Sequence, residues 1–415
     1  MCFEHPTQPA LMPGGWMERV KKAGGNLANG FWGEKLEGEE ENNATSEPAK
    51  EICMIKEGLK QPISIDELRK HDTEDHPWFV LNDEVYDGTK FLQEHPGGAQ
   101  SIVSSAGVDA TEDFMAIHSE NAKAMMVDYH IGSLDDAAKT ALTAGEAEAP
   151  ASAEPRASFL QAKAWSKLIL HGKKIVSWDT RIFTFKLDHD EQTLGLPVGQ
   201  HLMVRLQDPV TRETIIRSYT PISEINDKGY MEMLVKVYFA TDGSKGGKMS
   251  LAMDSLPIGH FIEMKGPIGK FEYRGKGLCM ISGKQRKITS FIMICGGSGI
   301  TPIYQVFRAV MRDAEDETRC TVLDGNRLFE DILCKEELQA LSEGNDKKCK
   351  ILHTLTKAPD HWTGLRGRVT GRLVEEHCVR NKETLVLICG PEAMEKAMHV
   401  TLREQGWDDD QLMFF

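Results

Sequence analysis

FLQEHPGGAQ, residues 91–100, places His95 directly before a proline and two glycines. Such a turn suits neither a helix interior nor a strand, so the imidazole stands on sharply bent backbone. A second histidine, His118, follows in FMAIHSEN. The residues around the two histidines are apolar: Phe91, Leu92, Phe114, Met115, Ile117, Met125 and Met126. Because neutral imidazoles are good axial ligands for heme iron, the pattern predicts a flat ligand held between two rings. Two unrelated turn histidines are the alternative.

The wider stretch WFVLNDEVYDGTKFLQEHPGGAQSIVSSAGVDATEDFMAIHS, residues 78–119, resembles the cytochrome b5 family from its first strand to its second histidine. The resemblance implies that His95 and His118 are the axial ligands of a b-type heme. Other nearby histidines, such as His71 and His130, match no ligand position of that family.

Two stretches, 33–51 and 135–158, are too poor in large apolar residues to bury a core. We expect the first to be an acidic hinge and the second a tether, with a short exposed helix as the alternative for its alanine-rich part. The expected organisation is the tail of another domain plus the hinge at 1–50, a heme domain at 56–134, a linker at 135–158, a flavin domain at 159–276 and a nucleotide domain at 277–415.

The hydrophobic periodicity changes near residue 280. Before that point, alternating segments such as HLMVRLQD are broken by turn residues, which predicts an antiparallel barrel. After it, apolar strands such as SFIMICGG alternate with helical stretches, which predicts a parallel sheet. The predicted fold class is therefore multidomain: a small α+β heme domain, an antiparallel β-barrel and an α/β nucleotide domain.

RSYTP (217–221) and GGKMS (246–250) supply groups that suit a flavin dinucleotide. Tyr219 offers an aromatic face, and the guanidinium of Arg217 can pair with phosphate. The glycines leave backbone N–H groups accessible to an anion at the start of a helix. Each motif alone is compatible with an ordinary strand end or turn. Together they resemble the FAD domain of the ferredoxin-reductase superfamily. With LVKVYF, the resemblance implies FAD contacts at Arg217, Ser218, Tyr219, Thr220, Lys236, Tyr238, Gly246, Gly247, Lys248, Met249 and Ser250.

CGGSGITP (295–302) follows a strand and opens a helix, and LICGPEAM (387–394) ends another strand of the same predicted sheet. A pyrophosphate can approach such a glycine turn, although a plain tight connection is the alternative. In the resembled superfamily the two turns bracket the nicotinamide, which implies catalytic roles for Cys389 and Lys236. A plain buried cysteine is the alternative for Cys389. The implied nucleotide contacts are Gly296, Gly297, Ser298, Gly299, Thr301, Gly390, Pro391 and Met394.

TVLDGNRLFEDIL (321–333) bears on the choice between NADPH and NADH. Arg327 could pair with a 2′-phosphate, whereas Asp324, Glu330 and Asp331 would repel it. An acid matching Asp331 is associated with NADH use in related enzymes. The sequence of the stretch, however, resembles that of fungal enzymes that commonly take NADPH. We predict NADPH with some use of NADH. In the alternative, Arg327 is a surface residue paired with Asp324 or Glu330.

The domain order resembles the tail of the fungal-type assimilatory nitrate reductases, and FEHPTQPALMPGGWM (3–17) is similar to the end of their molybdenum–pterin dimerisation domain. The resemblance implies a C-terminal portion that feeds electrons to a molybdenum domain for nitrate reduction. It also implies a homodimer through the N-terminal stretch, with molybdopterin held only in an upstream domain. A free-standing cytochrome b5/cytochrome b5 reductase fusion with another acceptor, and a non-enzymatic heme-binding protein, are the alternatives.

The overall composition argues against several classes of partner and location. A net charge of -14 over 415 residues argues against nucleic acid or an anionic membrane as the main partner. No apolar run approaches the roughly 18 residues that a membrane span needs. The nine cysteines include no C-x-x-C pair, which favours reduced thiols. The sequence therefore predicts a cytoplasmic protein.

Overall fold

A computed structural model describes residues 52–59, 61–145, 156–209, 211–241, 243, 245–345 and 347–415. The tail and hinge expected at residues 1–50 lie outside the described residues, as does the stretch on which the homodimer prediction rests. Within the described part of the chain, no helix is long and apolar enough to cross a bilayer.

The first domain consists of a small sheet covered by short helices. Its strands are β1 (Pro62–Ile63), β2 (Trp78–Leu81), β3 (Glu84–Asp87) and β4 (His130–Leu134). Its helices are α1 (Ile65–Lys70), α2 (Ala99–Val103), α3 (Thr111–Ile117), α4 (Glu120–Met125) and α5 (Asp136–Gly145). The strand order is β1-β4-β3-β2, with only β1 and β4 parallel. Asn82 and Asp83 both adopt positive φ between β2 and β3, as a two-residue hairpin turn requires.

Helix α5 occupies the start of the stretch in which the sequence favoured a tether. The Asp135 carboxylate accepts a 2.7 Å hydrogen bond from the backbone N–H of Ala138, which caps the helix. Ala138 is fully buried, and Leu142 packs against the cluster that contains Leu68. The tether favoured by the sequence is therefore wrong for residues 136–145. They form a helix, as in the alternative, but one face of it packs on the domain.

The second domain is an antiparallel barrel, as predicted. Its strands are β5 (Ser166–Ile175), β6 (Thr180–Lys186), β7 (His201–Gln207), β8 (Thr214–Tyr219), β9 (Tyr230–Lys236) and β10 (Phe261–Ile268), and its helix is α6 (Lys248–Ser255). The order is β8-β7-β10-β5-β6-β9, with every neighbouring pair antiparallel. Alternate residues of each strand point inward, so Phe183 and Phe185 of β6 are fully buried.

A three-stranded sheet spans the boundary expected at residues 276 and 277. It consists of β11 (Phe271–Tyr273), β12 (Leu278–Ile281) and β13 (Lys284–Lys287). Phe271 and Tyr273 pack edge-on against Phe291 of the following domain. The sheet therefore shares its core with the nucleotide domain.

The third domain is a parallel sheet flanked by helices, which confirms the predicted α/β class. Its strands are β14 (Ser290–Gly296), β15 (Arg319–Asn326), β16 (Cys349–Leu355), β17 (Leu365–Arg366), β18 (Thr384–Cys389) and β19 (Leu412–Phe414). Its helices are α7 (Ile300–Arg312), α8 (Lys335–Ser342), α9 (Gly371–His377) and α10 (Glu392–Glu404). The order is β17-β16-β15-β14-β18-β19. Cys295 stands opposite Cys389, and Gly296 opposite Gly325, so both glycine turns reach one edge.

The heme domain contacts the barrel through the first turn of α3. Both carboxylate oxygens of Asp113 lie 3.1 Å from the indole N–H of Trp165, and one lies 3.3 Å from the ammonium of Lys265. Glu112 pairs with the guanidinium of Arg205 at 2.9 Å. These charged contacts hold α3 against strands β7 and β10.

Candidate functional site

His95 and His118 face each other across a gap in the heme domain. Their ring centres are 6.0 Å apart, and the ring planes are inclined by 43°. Phe114 stacks on His118 with ring centres 4.1 Å apart, and Phe91 meets His95 edge-on at 5.7 Å. Two metal–nitrogen bonds of about 2 Å, together with half of each ring, span about 6 Å. The separation therefore fits one metal ion between the rings.

The outer nitrogen of each imidazole is already engaged. Nδ1 of His95 lies 3.1 Å from the carbonyl oxygen of Gly98, and Nδ1 of His118 lies 3.1 Å from that of Phe114. If each Nδ1 carries the proton for this bond, the Nε2 lone pair remains for a metal. Burial lowers the pKa of both histidines, although the carbonyl contacts oppose the shift. Both rings are thus neutral at pH 7, the form that ligates iron.

Local backbone explains the residue types around the first histidine. A Cβ on Gly97 would lie 2.9 Å from Cε1 of His95, so a side chain there would displace the imidazole. Gly98 has a φ of +82°, a conformation that residues with side chains rarely adopt. His118 is the residue at the C-terminal end of α3, where the chain turns to extended backbone. Each ring is therefore oriented by its own turn.

The residues predicted to contact FAD line one cavity of about 600 Å³ at the edge of the barrel. Tyr219 lies at the end of β8 and contributes a half-buried aromatic ring, with burial raising the pKa of its phenol. Gly247 precedes the first turn of α6, and Ser250 accepts a hydrogen bond from the Tyr238 backbone N–H at 3.1 Å. The predicted nucleotide residues Gly299 and Thr301 line this cavity as well. The roles of these residues stay predictions.

Sequence reasoning missed five residues of the flavin cavity, among them two with aromatic rings. His201, the first residue of β7, and Phe415, the last residue of the chain, both line it. Burial lowers the pKa of His201 to about 4, so the imidazole is neutral at pH 7. No spacing rule pointed to His201, because it is one position in an ordinary alternating strand. Phe415 reaches the cavity only because β19 pairs with β18.

A second cavity of about 1090 Å³ lies at the carboxyl edge of the parallel sheet. The predicted nucleotide residues in its lining are Gly296, Gly297, Ser298, Arg327, Asp331, Gly390, Pro391 and Met394. Lys236, Tyr238, Ser298 and Gly390 line this cavity and the flavin cavity, so the two meet there. The barrel and the nucleotide domain therefore share one continuous cleft.

Cys389 lines the flavin cavity beside that junction. Burial raises the pKa of its thiol to about 12, and the nearby Glu395 carboxylate adds to the shift. The thiol is therefore protonated at neutral pH, which suits contact and positioning but not nucleophilic attack. A Cβ on Gly299 would collide with the Cys389 carbonyl, so the two turns can pack together only because residue 299 is glycine.

Asp331 lies in the nucleotide cavity, where its carboxylate is ion-paired. Its carboxylate pairs with the Lys236 ammonium at 3.1 Å and accepts a 3.0 Å hydrogen bond from the Leu328 backbone N–H. Lys236 also pairs with Asp179 at 2.8 Å. Burial lowers the pKa of Lys236, but the two carboxylates outweigh burial and raise it. Lys236 thus links the barrel to the nucleotide domain.

Arg327 does not make the surface ion pair that was its alternative. Asp324 is 1% exposed and bonds instead to Nδ1 of His353 at 2.9 Å. Among the described residues, no carboxylate lies within 4.0 Å of the Arg327 guanidinium or that of Arg368, which lines the same cavity. Arg368 lies in WTGLRGRV (362–369), a stretch with no motif that marks a phosphate contact, so sequence reasoning missed it. The pair brings two positive charges to the cleft.

Comparisons with known proteins match three successive parts of the chain. The Cytochrome b5-like Heme/Steroid binding domain matches residues 64–135, the Oxidoreductase FAD-binding domain residues 167–273, and the Oxidoreductase NAD-binding domain residues 293–400. The order agrees with the three structural domains described above. The chain therefore carries heme, flavin and nicotinamide nucleotide domains.

Several curated proteins resemble the whole chain. The NADPH nitrate reductase of Leptosphaeria maculans is 58% identical over 415 residues, which are 100% of this chain and 46% of that protein. That of Aspergillus niger is 58% identical over 413 residues, 100% of this chain and 47% of that protein. The chain thus spans about half the length of the curated relatives it matches.

A solved structure resembles the flavin and nucleotide domains. The crystal structure of the cytochrome b5 reductase domain of Ulva prolifera nitrate reductase is 34% identical, with a TM-score of 0.59. The match covers 62% of this chain and 100% of that domain.

Proposed function

Because the chain belongs to the nitrate reductase family, with a cytochrome b5 domain joined to a cytochrome b5 reductase domain, we propose that it carries electrons from NADPH to heme. In this proposal the residues of the flavin cavity would hold FAD, and His95 and His118 would hold heme. The final acceptor is a molybdenum domain that reduces nitrate to nitrite. The relatives named as nitrate reductases support this assignment.

The junction of the two cavities is the observation that carries the proposal. Lys236, Tyr238, Ser298 and Gly390 belong to both linings, and Cys389 lies beside Gly390. A nicotinamide that enters from the nucleotide side would meet the flavin side at these residues. Positioning two reactants in this way supplies much of the rate of a transfer reaction. Cys389, being protonated, would orient the nicotinamide by contact.

On the flavin side, the residues supply binding and electrostatics. Arg217 would pair with phosphate, Tyr219 would give its aromatic face, and the N–H groups at the start of α6 would face the pyrophosphate. FAD, when bound, accepts two electrons as hydride and releases them singly, and heme carries one electron at a time. His95 and His118 would hold the heme through Nε2, since each Nδ1 already contacts a carbonyl.

The charges of the nucleotide cleft favour NADPH. Arg327 and Arg368 line the cleft without carboxylate partners among the described residues, whereas Asp331 and Asp179 share the Lys236 ammonium. A 2′-phosphate would therefore meet two guanidinium groups, while both of these carboxylates are ion-paired. Because Arg327 is not essential for unphosphorylated ribose, some use of NADH is expected. The curated relatives reported above are named for NADPH.

The proposal also covers the electron acceptor, the oligomeric state and the cellular location of the protein. The acceptor would be the molybdenum domain, and ferricyanide would replace it in assays of these 415 residues. The HPTQP stretch supports a homodimer through the N-terminal residues, and reduced thiols support a cytoplasmic location. A cytochrome b5 reductase fusion with a different acceptor is the second candidate, because it would need the same cavities.

The test is anaerobic mixing of the FAD- and heme-loaded chain with NADPH or NADH. We expect flavin absorbance to fall, heme to be reduced next, and ferricyanide to turn over faster with NADPH. Nitrite should not form, because molybdenum chemistry is assigned elsewhere. If neither nucleotide reduces flavin, the proposed function is wrong. If nitrite forms, the assignment of nitrate reduction to another domain is wrong.

A matched pair of arginine variants controls the flavin assignment. Arg217→Ala should lose FAD on gel filtration, since it removes the phosphate partner from the flavin cavity. Arg274→Ala removes an exposed arginine that pairs with Glu272 outside both cavities, and it should keep FAD. Equal FAD retention in the two variants would remove Arg217 from the site.

A further inference from the structure

The turn that carries His95 packs against the barrel. Gly98 in this turn is buried, and a Cβ placed on it would lie 3.1 Å from Cβ of Lys270 and 3.4 Å from its backbone nitrogen. These distances are shorter than ordinary van der Waals contacts, so the two turns approach this closely only because residue 98 is glycine. The Gly98 carbonyl oxygen lies 3.1 Å from Nδ1 of His95. The residue that orients the first heme ligand therefore also meets the barrel.

The same turn of the barrel adjoins the flavin cavity. Lys270 follows Gly269 directly after β10, and Ile268 at the end of that strand pairs with His201. A Cβ on Gly269 would lie 3.6 Å from Nδ1 of His201, which lines the flavin cavity. Two close approaches, one on each side of the Gly269–Lys270 peptide bond, therefore join the flavin cavity to the turn of the first heme ligand.

The conformation of both turns depends on glycine. Gly98 has a φ of +82° and Gly269 a φ of +136°, which residues with side chains rarely adopt. The carbonyl of Lys270 accepts a 2.7 Å hydrogen bond from the backbone N–H of Ser282, which fixes this turn on the three-stranded sheet. The two turns are thus held in defined positions.

The charged contacts of α3 dock the heme domain without reaching the flavin cavity. Asp113 pairs with Lys265 and accepts a hydrogen bond from the indole N–H of Trp165. None of these three side chains lines either cavity. The contact between Gly98 and Lys270 differs, because it adjoins the flavin cavity on one side and a heme ligand on the other.

We propose that electrons pass from the flavin cavity to the heme domain at the contact between Gly98 and Lys270. These two are positioning residues, because their close approach sets how far the first heme ligand stands from the flavin cavity. Each transfer moves one electron from reduced FAD to ferric heme. Two transfers complete the oxidation of one FAD, and the proton that arrived with the hydride passes to solvent. The inference rests on the proposed function.

The test separates the two turns in the FAD- and heme-loaded full chain. A misplacement of about 1 Å can cost a positioned transfer about 100-fold, so the shift of about 0.3–0.5 Å that the methyl group of Gly98→Ala requires should slow heme reduction about 4–10-fold. Stopped flow with NADPH follows flavin and heme absorbance separately, and the rate of flavin reduction should not change. Gly58→Ala is the matched control, because Gly58 has a similar φ of +79° in the same domain and open space around its Cβ. Its rate of heme reduction should equal that of the unmodified chain.

Lys270 variants test the same contact from the barrel side. Lys270→Ala keeps the Cβ that meets Gly98, so heme reduction should keep its rate. Lys270→Gly removes that atom and should slow heme reduction about 4–10-fold. An equal loss of rate in the two variants would assign the effect to the ammonium group and overturn the proposal. This pair also carries the test if Gly98→Ala alters the heme spectrum or midpoint potential.

The closeness of residue 270 to heme is also measured without turnover. Trifluoromethyl-phenylalanine replaces Lys270 in one variant and Lys396, an exposed residue of α10, in the control. Ferric low-spin heme is paramagnetic and ferrous low-spin heme is not. The fluorine resonance at position 270 should therefore be broad in the oxidised chain and sharpen after dithionite, whereas the resonance at position 396 should not change. Equal line widths at position 270 in the two states would overturn the proposal.

Failure of the proposed function and failure of this inference give different results. If neither NADPH nor NADH reduces flavin in the unmodified chain, the proposed function is wrong. If flavin is reduced but heme reduction is equally fast in Gly98→Ala and Gly58→Ala, only the place of electron transfer is refuted. The midpoint potential and low-spin spectrum of heme in Gly98→Ala should match those of the unmodified chain, so that a slower rate reports position rather than driving force.

Discussion

Asp113→Ala should undock the heme domain from the barrel. Asp113 accepts the Trp165 indole N–H at 3.1 Å and pairs with Lys265 at 3.3 Å. The Lys265 side chain is 5% exposed, and the Asp113 side chain 15%. Among the described residues, Lys265 has no other carboxylate within 4.0 Å. The substitution therefore leaves a buried ammonium without its counter-charge.

The magnitude follows from this burial. Removing one partner of a fully buried ion pair costs about 3–5 kcal/mol, because the remaining charge stays out of water. Asp113 is partly exposed, and Lys265 can regain water on undocking. We therefore expect Asp113→Ala to weaken the docking free energy by about 2–3 kcal/mol. That corresponds to roughly 30- to 150-fold in the docking equilibrium. The double variant Asp113→Ala/Lys265→Met should lose less docking free energy than the sum of the losses in the two single variants.

The assay converts docking into a measurable association. A protease site placed between residues 146 and 155 is cut in the folded, loaded chain, and the dissociation constant of the two parts is measured by titration. Asp113→Ala should weaken association by the stated factor and slow NADPH-driven heme reduction at low protein concentration. Its ferricyanide activity should stay high, because Asp113 lines neither the flavin cavity nor the nucleotide cavity.

Glu120→Ala is the matched control for Asp113→Ala. Glu120 is an acid of the same domain that pairs with Lys123 and not with the barrel. Its dissociation constant should equal that of the unmodified chain. If the dissociation constant of Asp113→Ala lies within threefold of that of Glu120→Ala, the reasoning is refuted. It is also refuted if the docking free energies lost in Asp113→Ala and Lys265→Met add fully in the double variant.

Four further outcomes are expected. His118→Ala should abolish the low-spin heme spectrum yet spare ferricyanide reduction, and an intact spectrum would contradict ligation by this ring. Cys389→Ser should keep FAD but slow flavin reduction in stopped flow; because burial raises the thiol pKa to about 12, the unmodified rate should show no thiol titration between about pH 6 and 9. Arg327→Ala should raise the KM for NADPH about tenfold and change that for NADH little; equal effects would exclude a phosphate contact. The pKa of His201 falls from 6.5 to about 4 on folding, so stability is full above pH 6.5 and falls by up to about 3 kcal/mol as the pH drops toward 4. His201→Asn should remove that slope in unfolding measured against pH, and an unchanged slope would assign it to other groups.

The candidate sites were predictable from sequence where chemistry depends on neighbouring residues. The HPGG turn needs Gly97 beside His95, and the turn before α7 needs Gly299 beside a second strand end. Because the residues concerned are close together in the chain, each requirement appears in the sequence as a short motif. For residues 136–145 the sequence favours a tether, whereas the structure has a helix there, because packing of Ala138 and Leu142 on the domain stabilises it. Local composition does not reveal that packing.

Sequence alone determined the order of the domains, the antiparallel and parallel sheet classes and the motif residues, because strand alternation and glycine turns reflect contacts within a few positions. The tertiary structure decided which charges are free. Asp331 pairs with Lys236, and Asp113 pairs with Lys265, although the two residues of each pair are far apart in the chain. The structure also decided that the Asn326 amide NH₂ donates to the buried carboxylate of Asp324. Such pairings depend on sheet register and domain docking, which bring together residues with no common sequence pattern.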